Sequence, residues 1–204
     1  MGEETTFASG ALRLEARLAA TAGASAAAVI CHPHPLYGGS MDNNVVAALD
    51  DGCRAAGCAT LCFNFRGVGE SDGGYGNVSG ECDDAAAAIA FLRQRVGDLP
   101  IVLAGYSFGA MVALQVAGRE AAVTRVIAVA PPLAMGEMAV PAQPTLLLCG
   151  DRDTYCPPSS AEPFAATLAA GSATRILAAA DHFLSGHEPA LAAAVREFLA
   201  GARR

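Results

Sequence analysis

The stretch IVLAGYSFGAMVAL (Ile101–Leu114) sets a serine between two glycines, Gly105-Tyr106-Ser107-Phe108-Gly109, after an apolar run and ahead of a helical one. A hydroxyl in the sharp turn from a buried strand into a helix stands clear of the sheet, and flanking glycines leave room for the crowded backbone around it. The helix that starts there aims its first free N–H groups at the same spot, where a developing negative oxygen would be received. The backbone N–H of Phe108 is the expected donor. A serine that only caps the helix is the competing reading of the same residues.

A nucleophilic serine needs a base to take its proton and a carboxylate to orient that base. Of the four histidines, only His182 and His187 follow Ser107. His182, in ILAAADHFLSG, stands just beyond an apolar run; His187 opens the last helical segment, where a solvated or capping role is expected. The segment PTLLLCGDRDTYCPP offers Asp151 and Asp153. Gly150 lets the chain turn over the strand end so that Asp153 reaches the histidine, while Asp151 is read as stabilising the turn. Asp181 adjoins His182, and neighbouring side chains diverge. The expected catalytic set is therefore Ser107, Asp153 and His182.

A second cluster lies in AVICHPHPLYGGSMDNN (Ala28–Asn44). The closeness of Cys31, His32 and His34 raises the question of a metal. No further ligands converge there in sequence, and Pro33 and Pro35 lock the loop into an extended path. Gly38 and Gly39 let it pass close to a pocket. The reading adopted is a rigid, pocket-shaping loop without metal, in which His32 and His34 pack or hydrogen-bond. In FNFRGVGESDGG, Gly67-Val68-Gly69 falls short of a phosphate-loop pattern. Arg66 is expected to tie loops together through Glu81 or Asp84.

These clusters must be positioned by regular elements. The runs AAAVICH, ATLCFNF, PIVLAGY, VTRVIAVAPP, PTLLLCG and ATRILAAA each stop at Gly, Pro or a polar turn and read as buried strands. ALRLEARLA (Ala11–Ala19) alternates with period two, which predicts an exposed antiparallel strand paired with the segment before it. Helices are predicted over Asn44–Ala56, Gly80–Val96, Phe108–Ala117, Ser159–Ala170 (capped by Ser159 or Ser160) and Glu188–Ala200. The alternation implies the α/β class: a mostly parallel sheet of about seven or eight strands with helices on both faces. A single domain over residues 1–204 is expected. In such sheets ligands bind beyond the carboxyl ends of the strands, and each cluster above sits at such an end.

Bulk properties exclude several classes. With 53% apolar and 16% charged residues the chain is no disordered segment. A net charge of −7 without a basic cluster argues against nucleic acid. The acidic N-terminus lacks a leader-like apolar stretch, and no run is long enough to span a membrane. The seven cysteines form no Cys-x-x-Cys pair and read as buried thiols of a reducing compartment, so a cytoplasmic location is expected. Arg203 and Arg204 read as a solvated end.

Five motifs in order, CHPHPLYGGSMDN, FNFRGVGESDG, AGYSFGA, GDRD and ADHF, resemble the α/β-hydrolase superfamily, and more narrowly its small, lidless bacterial members. The resemblance covers residues 28 to 185. It implies a serine carboxylic-ester hydrolase acting on short acyl chains without a cofactor. Carried over motif by motif, the catalytic residues are again Ser107, Asp153 and His182, in the superfamily's order of nucleophile, acid and base. In such a fold the loop after the strand ending near Cys31 supplies a second oxyanion N–H. His34, Leu36 and Tyr37 are the available donors, and Leu36 is the choice made here.

Only eleven residues, Leu133 to Gln143, separate the VIAVAPP run from the next strand, too few for the helical lid that many hydrolases insert. The pocket should be shallow and open, suiting small soluble esters or thioesters, with His34, Tyr37, Pro132 and Leu133 as candidate lining. A monomer or homodimer is expected. Two other readings stay open: a thioesterase, amidase or cyclase with the same triad, and a non-catalytic binding module on the same fold.

Overall fold

The computed structural model describes residues 2–201. Strands Glu3–Ser9 (β1) and Leu12–Ala19 (β2) form a hairpin that turns at Gly10, whose φ of 59° suits a residue without a side chain. The period-two pattern of β2 buries Leu14, Ala16 and Leu18. The expected exposed strand is thus half in the core, because it lies between β1 and a further strand rather than at the edge.

The chain then alternates: Ala26–Cys31 (β3), Asn44–Ala55 (α1), Cys58–Phe63 (β4), Ser79–Val96 (α2), Ile101–Tyr106 (β5) and Phe108–Ala117 (α3). Val123–Val129 (β6), Thr145–Gly150 (β7), Pro158–Ala165 (α4), Ala173–Leu177 (β8) and Glu188–Ala200 (α5) complete it. All eight strands join one sheet in the order β1-β2-β4-β3-β5-β6-β7-β8. It is antiparallel at β1–β2 and β2–β4 and parallel from β4 to β8. Strands β4, β5 and β7 are buried along their whole length, as strands covered on both faces must be.

From β3 the chain steps one way to β4, then back across to β5. Right-handed crossovers taken in opposite directions put their helices on opposite faces. So α1, packed with α5, covers one face, and α2, packed with α3, covers the other. The reversal leaves a crevice between the carboxyl ends of β3 and β5. Cys31 pairs with Gly105 across it, which sets the loop after β3 directly beside the turn at Ser107.

Helix α4 departs from the sequence expectation. It begins at Pro158, after an extended Pro157, and neither Ser159 nor Ser160 caps it. Proline at the first helical position presets φ and needs no N–H partner, so it starts the helix unaided. Beyond Ala165 the chain tightens into i→i−3 turns, and the Thr167 hydroxyl donates to the Phe164 carbonyl. The predicted continuation to Ala170 is therefore lost. Between β6 and β7 the only helical piece is a 3₁₀ turn, Leu133–Met135, so no lid covers the strand ends. Among the described residues no helix is long and apolar enough to cross a membrane, and all seven cysteines are buried thiols outside any disulfide. Arg203 and Arg204 lie outside the described residues.

Candidate active site

Ser107 sits at the junction of β5 and α3 with φ 54° and ψ −116°, a region that side-chain-bearing residues rarely occupy. Its N–H is fixed on the Val129 carbonyl at 2.8 Å. The two glycines are sterically required. A Cβ on Gly105 would strike the Gly109 carbonyl, and one on Gly109 would strike the carbonyls of Cys31 and His32. Ser107 occupies the N-cap position, yet its side chain makes no capping bond. Instead its Oγ lies 3.0 Å from Nε2 of His182. The capping alternative does not describe this serine.

His182 and Asp153 reach it from the two loops that follow β8 and β7. Gly150 closes β7 against the backbone of Ala180, where a Cβ would clash, and this contact draws the loops together. Asp153 is buried; its Oδ1 accepts the N–H groups of Tyr155 (2.8 Å) and Cys156 (2.9 Å). His182 Nδ1 stands 3.0 and 2.9 Å from its two carboxylate oxygens. With an acceptor-only carboxylate on Nδ1, that nitrogen carries the hydrogen, and Nε2 is left with its lone pair toward Ser107. Asp151 is exposed and makes no hydrogen bond to His182, while Asp181 accepts the N–H of Phe183 at 3.0 Å in a local turn. His187 is at the N-cap of α5 but caps nothing; its ring meets the carbonyls of Ser185 and Ala178.

Sequence reasoning missed Tyr106. Its hydroxyl donates to the His182 carbonyl at 2.9 Å, pinning the histidine loop to the elbow from behind. Burial, with the charge of Asp153 adding to it, pushes that phenol up, so it stays a donor. Nothing in the sequence distinguishes this tyrosine from any residue at the variable position of the motif.

The loop after β3 is held by its own histidines. His32 is fully buried, with Nδ1 donating to the Pro33 carbonyl (2.6 Å) and Nε2 accepting the Phe65 N–H (3.0 Å). Burial lowers its pKa from 6.5 to about 4. Both nitrogens are engaged with backbone, so neither is free to ligate. Among the described residues no group of three or more His, Cys, Asp or Glu side chains is arranged to hold a metal. The His34 ring packs against Tyr37, Tyr75 and Phe108, and burial lowers its pKa against the opposing charge of Glu81.

Leu36, the expected oxyanion donor, has another partner in the structure. Its N–H donates to Nδ1 of His34 at 3.2 Å, and the Tyr37 N–H is spent on the His34 carbonyl at 3.1 Å. The 3₁₀ turn Pro35–Tyr37 turns both inward. Of the three donors weighed, His34 alone keeps its N–H clear of the loop's internal bonds. Phe108 is the first residue of α3, so its N–H lacks an intrahelical partner.

Arg66 binds Asp84 through its backbone N–H (3.1 Å), Nε (2.9 Å) and Nη2 (2.7 Å), and Ser9 adds a fourth bond to the same buried carboxylate. Of the two expected partners the structure selects Asp84, while Glu81 receives the Gly76 N–H at 2.7 Å. Among the candidate lining residues, Tyr37 projects into solvent, Pro132 is half-buried, and Leu133 packs onto the hydrophobic core.

A family model described as the alpha/beta hydrolase fold matches residues 29–142. The chain belongs to the alpha/beta hydrolase family. An alpha-beta serine hydrolase homologue from Coxiella burnetii is 33% identical to this hydrolase-family chain, with 99% of this chain and 97% of that one covered at a TM-score of 0.84. XC6422 from Xanthomonas campestris, described as a serine hydrolase without a lid, is 28% identical over 97% of this chain and 93% of its own, at a TM-score of 0.86. The protein RP471 of Rickettsia prowazekii is 39% identical over 123 residues, 59% of this chain. That alignment spans 52% of RP471, about half the length of this curated relative.

Proposed function

We propose that this family member is a serine carboxylesterase that cleaves small, short-acyl esters through an acyl-serine intermediate. The observation that carries the reading is the chain of contacts from a strained Ser107 Oγ through His182 to a buried, doubly N–H-bound Asp153. His182 Nε2 takes the serine proton as Oγ attacks the ester carbonyl, while Asp153 faces the imidazolium that forms. The carbonyl oxygen, now negative, lies between the N–H groups of Phe108 and His34. As the tetrahedral intermediate collapses, the C–O bond to the alcohol breaks and His182 returns the proton to the departing oxygen. Water then repeats both steps on the acyl-serine, releasing the acid and free Ser107. No step calls for a metal or cofactor.

Steady-state hydrolysis of p-nitrophenyl acetate by wild type and Ser107→Ala tests this. The variant should fold normally and lose about ten-thousand-fold in kcat. A variant that keeps most of the wild-type turnover would reject Ser107 as the nucleophile.

A further inference from the structure

The structure leaves large apolar side chains in water, and those nearest the catalytic base are aromatic. Tyr155 is 47% exposed and Phe183 65% exposed. Their ring centroids stand 4.7 Å and 6.1 Å from that of His182. A ligand that covered them would gain apolar burial, and their place beside one imidazole puts that gain next to the reacting centre. Neither is a loose side chain on a wandering loop. The Tyr155 backbone is fixed at both ends of its peptide unit, its N–H on Asp153 and its carbonyl receiving the Ala134 N–H at 2.9 Å. The same 3₁₀ turn that makes this contact projects Met135, 73% exposed. Phe183 follows His182 directly and has its N–H locked on Asp181.

Their position relative to the chemistry gives them a role. The oxyanion side of Ser107 is formed by Phe108 and the loop at His34. The opposite side is formed by His182, which must hand its proton to the departing alcohol oxygen. The alcohol portion of the ester therefore lies against whatever surrounds His182. On the buried side that is Tyr106, whose ring centroid is 5.6 Å away and which leaves no room. On the open side it is Tyr155 and Phe183.

We infer that Tyr155 and Phe183 form a leaving-group subsite that selects esters whose alcohol part carries a flat, aromatic group. This rests on the serine esterase reading above and narrows its substrate class. A planar ring laid against Tyr155 and Phe183 gains offset or edge-on ring contacts that a puckered ring of equal size does not. The acyl part, on the other side of Ser107, is not selected by these residues.

Benzyl acetate and cyclohexylmethyl acetate separate ring shape from size and hydrophobicity, since both are primary-alcohol esters and the saturated one is the more apolar. Both give the same acetyl-enzyme, so the ratio of their kcat/KM values reads acylation alone. Wild type should favour the benzyl ester. The double variant Tyr155→Ala/Phe183→Ala should lower the benzyl-to-cyclohexylmethyl ratio about threefold to tenfold. Tyr155→Leu/Phe183→Leu, which keeps an apolar surface and protects against misfolding, should lower it similarly. An active enzyme whose ratio is unchanged in both double variants would overturn the subsite and leave the esterase reading intact. Absence of Ser107-dependent turnover of either ester in wild type would overturn the esterase reading, and the subsite with it.

Discussion

His32 shows what a histidine does when both ring nitrogens are committed to backbone. The neutral ring bridges the Pro33 carbonyl and the Phe65 N–H inside the core, tying the loop after β3 to the end of β4. Protonation would make the acceptor nitrogen a donor facing the Phe65 N–H and would bury a charge. The folded pKa of about 4 lies below the ordinary 6.5, so the unfolded chain binds the proton first. Above pH 6.5 the residue is neutral in both states and costs nothing. Between pH 6.5 and about 4, stability falls as pH falls, by roughly 3 kcal/mol over the window. Denaturant melts of wild type and His32→Ala check this: the variant should be about 2 to 4 kcal/mol less stable at pH 7, with a shallower acid slope. The His182 imidazole, the proposed base, is a separate case. His182→Ala should lose about ten-thousand-fold in kcat, whereas His187→Ala should retain wild-type rates.

At the level of strands and helices the site depends on three close approaches, two of them at glycines of the elbow. Helix α3 starts against the carbonyls of Cys31 and His32, which only Gly109 permits. Gly109→Ala should therefore push α3 off β3, destabilise the fold by about 3 kcal/mol and abolish ester turnover, measured by thermal melts and activity together. The third approach, Gly150 against Ala180, joins the acid and base loops. The elements themselves were legible, because unbroken apolar runs and the Gly-x-Ser-x-Gly turn are local signals. The meeting of Ser107, Asp153 and His182 was legible because each follows the end of a strand. The partner of the Leu36 N–H was not legible, because it depends on a 3₁₀ turn that folds that N–H back onto His34, a matter of backbone dihedrals rather than residue type. Tyr106 and Tyr155 act through distances between segments far apart in sequence, which no spacing rule encodes, while Phe183 adjoins His182 and only its exposure had to come from the fold.

The whole molecule places all of this on an open rim. In the one eight-stranded sheet the crossovers change direction between β3 and β5, and the loops at that point carry Ser107 and the N–H groups of Phe108 and His34. The short β6–β7 connection contributes a single 3₁₀ turn and roofs nothing. A long acyl chain would find no enclosing apolar wall, so kcat/KM for p-nitrophenyl esters should peak at acetate to butyrate. It should fall about tenfold or more by dodecanoate in a chain-length series. The central claim is that one serine is made nucleophilic by the His182–Asp153 pair. Covalent labelling with a fluorophosphonate, read by intact mass and peptide mapping, tests it most directly. The prediction is a single adduct on Ser107, absent from Ser107→Ala and formed orders of magnitude more slowly in His182→Ala. An unlabelled Ser107, or equal labelling of wild type and Ser107→Ala, would contradict it.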